Sequence, residues 1–146
     1  MYEQLKLDNQ VCFKLYTASR LITQAYRPLL EPLGLTYSQY LVMLVLWEHD
    51  HQTVNDISRR LMLDTNTLTP LLQRMERAGL VVRARGLVDG RQTLVSLTKT
   101  GHHLEAQAKD IPACISQFWQ NKKTDLEQTT ALLGTLDTMI DTIQTH

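Results

Sequence analysis

One β-hairpin signal stands in an otherwise helical sequence. Leu80 to Arg85 and Arg91 to Leu97 have the composition of strands, and Asp89-Gly90 between them signals a hairpin turn. The flanking segments carry helix punctuation. Asp8 can cap a first helix whose apolar positions Val11, Leu15, Ala18, Ile22, Ala25 and Leu29 recur every three or four residues. Pro28, Pro32 and Gly34 end or kink it. Thr36 and Gln39 form a capping box for a second helix, reaching Glu48, that is apolar nearly all round and therefore central. Thr53 caps a short third helix over Val54 to Met62. Asp64-Thr65-Asn66-Thr67 opens a fourth, with Pro70 in its first turns and Gly79 closing it. Thr98 opens a fifth helix, interrupted near Pro112, and Thr124 with Glu127 forms a second capping box at the start of the last. The expected order is α-α-α-α-β-β-α-α, a mainly α chain with a small β-hairpin.

The last helix repeats Leu126, Leu133 and Ile140 every seven residues, with Thr129, Leu136 and Ile143 as a companion row. Such a two-row seam packs against another helix, in the same chain or in a second copy. The 146 residues suit one domain, or a compact domain with dimerisation helices. Hydrophobic residues are 43% and charged residues 21%, which excludes a disordered tail protein. Cys12 and Cys114 are too few for a disulfide scaffold, and no Cys/His spacing suggests zinc. The first residues mix charges and do not read as a secretory signal. The apolar stretch Leu41 to Trp47 is far too short to span a bilayer. A cytoplasmic protein without membrane partner, metal or other cofactor is expected.

The net charge is zero, but its distribution is uneven. Residues 54–91 carry +3, and every cation there is Arg: Arg59, Arg60, Arg74, Arg77, Arg83, Arg85 and Arg91. Residues 1–53 carry −1 and residues 92–146 carry −2. This centre reads as helix, turn, polar-fronted helix and arginine-tipped hairpin, the layout of a winged helix-turn-helix. Its fourth helix would enter a DNA major groove with its N-terminal residues leading. Thr65, Asn66, Thr67 and Thr69 offer short hydrogen-bonding groups there, and Gln73 can pair with adenine. Arg74 and Arg77 suit phosphates, and Arg91 at the turn can reach a minor groove. Each of these residues alone reads as a cap or a solvated charge; the ordered combination points to DNA.

Cys12 falls about four residues after the proposed cap, where helix amides still favour a thiolate. Phenol hydroxyls can donate to such a sulfur. At roughly 100° per residue, Tyr16 lies about 40° to one side of Cys12 and Tyr26 about 40° to the other, so all three share a face. Tyr26 is fourteen residues away, about 21 Å along a straight helix, so it can serve Cys12 only from a symmetry mate. A buried structural cysteine beside Val11 and Leu15 is the competing reading.

LDNQVCFKLYTASR and the tyrosine-bearing stretch through Trp47 resemble the start of the organic hydroperoxide resistance regulators, a redox-sensing branch of the MarR family of winged-helix repressors. LDTNTLTPLLQRMERAGLVVRAR and DGRQTLVSLT are similar to their recognition helix and wing. The resemblance covers roughly residues 5–143. It implies a homodimer built from residues 1–35 and 99–146, with residues 36–98 as the DNA-binding region on a pseudo-palindrome. It implies Cys12 as the thiol oxidised by organic hydroperoxide, with Tyr26 and Tyr37 bonding the sulfur across the dimer and Tyr16 nearby. Thr65, Thr67, Thr69, Gln73 and Arg74 match the recognition helix, Asp89 and Arg91 the wing turn in which the Asp commonly braces the Arg. Arg85 falls on the same wing. Asn66 stands where many relatives have glycine, which leaves base preference there open.

Cys114 has two readings. Relatives of the two-cysteine type close an intersubunit disulfide with a C-terminal resolving cysteine, and those of the one-cysteine type end as mixed disulfides with a low-molecular-weight thiol. Cys114 lies about one turn (~5.4 Å) before the usual resolving position, and a disulfide needs Cα atoms within about 7 Å. Resolving and structural roles both stay open. Two other functions compete: a regulator relieved by a small phenolic ligand, and a thiol peroxidase, for which no supporting CxxC exists. His49-Asp50-His51 and His102-His103 read as solvated surface groups.

Overall fold

Residues 1–86, 89–120 and 125–146 are described by a computed structural model. They form two compact units, Met1–Lys109 and Asp110–His146. The first begins with 3-10 turns at Glu3–Leu5 and Leu7–Asn9, then α1 at Val11–Leu30. Asp8 is not the cap of α1, contrary to expectation: it lies in the second short turn, and Gln10 takes the cap position without a side-chain bond to the helix. The reason is local competition. The Gln10 amide donates back to the carbonyls of Gln4 (2.8 Å) and Lys6 (3.0 Å), and Asn9 donates to that of Glu3 (2.8 Å). These bonds stabilise the turns, so the helix starts later.

α1 runs through Pro28 to Leu30, and a 3-10 turn with Pro32 follows. Gly34 then turns the chain at φ 68°. Thr36 and Gln39 form the expected capping box: the Gln39 N–H donates to Thr36 Oγ1 (3.3 Å), and Gln39 Oε1 accepts from the Thr36 N–H (3.0 Å). This starts α2, Tyr37–Glu48, which buries Tyr40, Val42, Met43, Val45 and Leu46 as its apolar circumference predicts.

A strand the sequence reading lacks, β1 at Gln52–Thr53, comes next. Thr53 then caps α3, Val54–Leu61, by accepting from the Asp56 N–H at 3.1 Å. α3 ends at Met62 in a left-handed conformation (φ 56°), with the Ser58 hydroxyl donating to the Leu63 carbonyl. α4 is Thr65–Arg77, and Gly79 closes it at φ 74° as expected. β2 (Val81–Arg85) and β3 (Thr93–Leu97) pair antiparallel from Val81–Leu97 to Arg85–Thr93. β3 starts later than Arg91 because Asp89 to Gln92 form the turn, in which the Gln92 N–H donates to the Asp89 carbonyl (3.1 Å). β1 pairs with the other edge of β3, giving the order β1-β3-β2.

Asp50 joins these elements. Its Oδ1 accepts from the Leu97 N–H (2.9 Å), and its Oδ2 is 3.2 Å from His102 Nε2. His51 bonds the Ser96 hydroxyl (2.8 Å). His49 and His51 are exposed as expected, while Asp50 and His51 tie this segment to β3. Thr98 caps α5, Lys99–Ala108, by accepting from the Gly101 N–H at 3.0 Å. Leu30, Met43, Ile57, Leu68, Leu72 and Val95 are fully enclosed at the centre of this unit.

The second unit holds α6 (Ile111–Ser116) and α7 (Leu126–Gln144). The expected interruption of the fifth helix is a full break, so Cys114 sits on α6 behind Pro112. The expected box of Thr124 and Glu127 falls on Thr124, which lies outside the described residues. The box is Asp125 with Gln128: the Gln128 N–H donates to Asp125 Oδ1 (2.9 Å), and Gln128 Oε1 accepts from the Asp125 N–H (3.2 Å). Asp125 is the N-cap of α7. No residue of α7 is buried; Leu126, Leu133 and Ile143 are 71%, 60% and 68% exposed. Among the described residues, no single helix is long and apolar enough to cross a membrane.

Candidate functional site: nucleic-acid interface and thiol sensor

Ion pairing divides the seven central arginines into two sets. Arg59 pairs with Asp56, Arg60 with Glu48 (2.8 Å) and Arg83 with Glu76 (3.1 Å). All three carboxyls are held below their ordinary values. For Glu48 the Arg60 hydrogen bond is the main cause, for Asp56 the Thr53 hydroxyl, and for Glu76 the Arg83 backbone N–H (2.9 Å). Arg74, Arg77, Arg85 and Arg91 have no carboxylate partner among the described residues, and all four are exposed. They are the four arginines that the sequence pattern assigns to DNA.

α4 opens with Thr65, Asn66 and Thr67 exposed, with Thr69 half-buried on the next turn and Gln73 half-buried one turn further on. Pro70 brings no N–H to the carbonyl of Asn66, which frees one more acceptor near this end. At the wing turn, Asp89 Oδ1 accepts from the backbone N–H of Arg91 at 3.0 Å. The aspartate therefore braces the arginine's main chain and leaves the guanidinium free. A cleft of about 230 Å³ lies between α3, α4 and the hairpin, lined by Asn55, Thr65, Thr69, Arg91 and Gln92 among others. Asn55 and Gln92 were missed from sequence. Their positions, at the start of a helix and directly after Arg91, were the available signals.

Cys12 is the second residue of α1 and exposed, so the buried structural reading fails for a single chain. Tyr16 is also exposed, at 69%, and stands apart from the other tyrosines. Tyr26, near the end of α1, meets Tyr37 and Tyr40 of α2. The ring centroids are 4.8 Å apart for Tyr26–Tyr37 and 5.6 Å for Tyr26–Tyr40. Burial, then the neighbouring phenols of Tyr37 and Tyr40, push Tyr26 up to about 12, and burial raises Tyr37 and Tyr40 as well. All three phenols thus remain neutral hydrogen-bond donors near neutral pH. α1 is continuous from Cys12 to Tyr26, so the same-chain distance stays at about 21 Å. Cys114 is half-buried on α6. No group of three or more His, Cys, Asp or Glu among the described residues is arranged to hold a metal ion.

Three helices, a recognition helix led by threonines, and a wing with free arginines define a winged-helix regulator. Comparison with known proteins is consistent with that class. The family model "Transcriptional regulator SarA/Rot" matches residues 24–107. The organic hydroperoxide resistance transcriptional regulator of Bacillus subtilis is 46% identical over 135 residues, covering 92% of each chain. The solved structure of reduced AbfR bound to DNA is 40% identical and covers 97% of this chain and 96% of that one, with a TM-score of 0.81. Disulfide-formed AbfR is 43% identical with a TM-score of 0.67, covering 94% and 95%; AbfR comes from Staphylococcus epidermidis. The chain belongs to the SarA/Rot family of MarR-like winged-helix transcriptional regulators.

Proposed function

We propose that this chain is a cytoplasmic, homodimeric repressor that senses organic hydroperoxide through Cys12 and leaves its operator when oxidised. The observation that carries this reading is the separation of sulfur and phenols. Cys12 lies exposed at one end of an unbroken helix, and neutral Tyr26 and Tyr37 are packed together at the other. A second copy, antiparallel along α1, brings each sulfur to the other's phenols. The apolar residues left open on α1 and α7, Val11 and Leu21 on one and Leu133 on the other, support such pairing. Residues 1–35 and 99–146 then form the dimer region, and residues 36–98 carry the DNA interface. The relatives are transcriptional regulators, and the chain reads likewise as a one-event sensor and not an enzyme.

The Cys12 thiolate attacks the terminal peroxide oxygen. An S–O bond forms, the O–O bond breaks, and the alkoxide leaves and takes a proton to become the alcohol. Sulfur is oxidised to sulfenate as the peroxide is reduced, while the phenols of Tyr26 and Tyr37 donate to the charged oxygen. The sulfenic acid then condenses with a second thiol, releasing water and forming a disulfide. That thiol is either Cys114 of the partner subunit or a low-molecular-weight thiol. Tyr16, exposed on the Cys12 face, borders the same sulfur. The new bond does not fit the reduced packing, and a shift of the two recognition helices misaligns half-sites ~34–36 Å apart.

On DNA, Thr65, Asn66, Thr67, Thr69 and Gln73 face base edges of a pseudo-palindromic duplex. Arg74, Arg77 and Arg85 bind phosphates, and Asp89 holds Arg91 for the minor groove. A Cys12→Ser dimer is expected to bind the operator duplex in a gel-shift assay and to stay bound in cumene hydroperoxide. Release of that variant by peroxide sinks the sensing assignment.

One observation favours a second reading. A groove of about 750 Å³ beside Tyr37, lined by Arg27, Leu30, Leu35, Leu41 and Leu63 among others, has room for a small phenolic ligand. Mass spectrometry after one equivalent of peroxide separates the two readings by the presence or absence of an adduct on Cys12.

A further inference from the structure

Tyr40 is not among the residues that the sequence assigns to the sensor, yet it is its most enclosed phenol. Its side chain is 2% exposed, whereas Tyr26 and Tyr37 are only half-buried. Its ring touches Tyr26 at 5.6 Å between centroids (interplanar angle 43°) and Tyr37 at 6.4 Å (44°). It also meets Trp47 edge-on at 6.4 Å and 67°. Trp47 is itself fixed, because its indole N–H donates to the Gly101 carbonyl on α5 at 3.0 Å. Tyr37, Tyr40 and Trp47 lie three and seven residues apart on one face of α2, and Tyr26 reaches that face from α1. Aromatic pairs at these separations restrict one another's orientation.

We propose that Tyr40 is a positioning residue: its buried ring, backed by Trp47, orients the phenols of Tyr26 and Tyr37 toward the sulfur of the partner's Cys12. This rests on the sensing reading above. It assigns the work to the ring of Tyr40 and not to its hydroxyl. Removing the ring leaves Tyr26 and Tyr37 with empty space behind them. Both hydroxyls can then settle where they no longer meet the developing oxyanion, and a misplacement of about 1 Å costs on the order of a hundredfold in rate.

The test uses the full-length dimer in a Cys114→Ala background, in which Cys12 is the sole thiol. The rate of thiol loss to cumene hydroperoxide is measured, with the thermal midpoint of the reduced protein beside it. Tyr40→Phe is expected to react at the wild-type rate. Tyr40→Leu is expected to be slower by about tenfold to a hundredfold. The double variant Tyr26→Phe/Tyr40→Leu is expected to be no slower than the slower single one, because Tyr40 acts through Tyr26 and Tyr37. A wild-type rate in Tyr40→Leu, or slowing that simply adds in the double variant, overturns the proposal. If Tyr40→Leu does not fold, Trp47→Phe takes its place. It keeps a ring but loses the donor to Gly101, and it must also slow the reaction, or the proposal falls. Tyr26→Phe reports separately on the foundation. If it reacts at the wild-type rate, the phenol-assisted sensing reading itself is wrong. If it is slow while Tyr40→Leu is fast, only the positioning role is lost.

Discussion

A Cβ on Gly101 would stand 2.3 Å from the carbonyl oxygen of Leu80 and 3.1 Å from Cδ2 of Leu97. Glycine is thus required where α5 crosses the start of the hairpin, although its backbone is ordinary helix. The same residue offers its carbonyl to Trp47. Gly101→Ala must push the hairpin from α5, and it is expected to lower stability by about 1–3 kcal/mol, measured as a drop in the thermal midpoint. An unchanged midpoint would mean that this contact yields freely. Nothing in the sequence marks Gly101, because the crowding comes from a residue twenty-one positions away. Gly79, in contrast, is legible: it ends a periodic helix and its left-handed φ follows from that position.

The caps are the legible part at the level of elements. Thr36, Thr53, Thr98 and Gly79 act where the sequence puts them, since a cap needs only its own next three or four residues. Asp8 is displaced from the cap by two residues, because the side-chain amides of Asn9 and Gln10 hold the preceding 3-10 turns together and α1 starts after them. β1 was invisible, as two residues carry no alternation. The bond between α4 and β2 depends on ionisation. Glu76 accepts from the backbone N–H and guanidinium of Arg83, which holds its carboxyl below the ordinary range. Its stabilising contribution is therefore complete above the unfolded value of about 4.3 and is lost as pH falls through the lower folded value. Glu76→Gln is expected to be less stable than wild type at neutral pH, with the gap closing under acid. Urea unfolding across a pH series reads this directly, and a gap independent of pH contradicts it.

At the scale of the whole molecule, α1 and α7 leave much of their apolar surface open, which a second copy covers in the proposed dimer. The two routes after sulfenate formation differ at this scale too. If Cys114 resolves Cys12, organic hydroperoxide yields a cross-linked dimer on a non-reducing gel, and Cys114→Ala abolishes it. A monomer band with a mixed disulfide assigns the step to a small thiol instead. The sequence alone determined the main helices and the hairpin in their order, though not β1 or the separation of α5 from α6, together with the heptad repeat, the basic centre and the two thiols. Composition, short-range caps and periodicity are properties of neighbours along the chain, and a neutral total does not erase a local +3. Tertiary structure decided which arginines are free and which are spent on Asp56, Glu48 and Glu76. It also decided that Tyr26, Tyr37 and Tyr40 meet while Cys12 stands apart. Ion pairing and ring packing depend on distances of a few ångströms, and between segments far apart in sequence only the folded chain sets those distances.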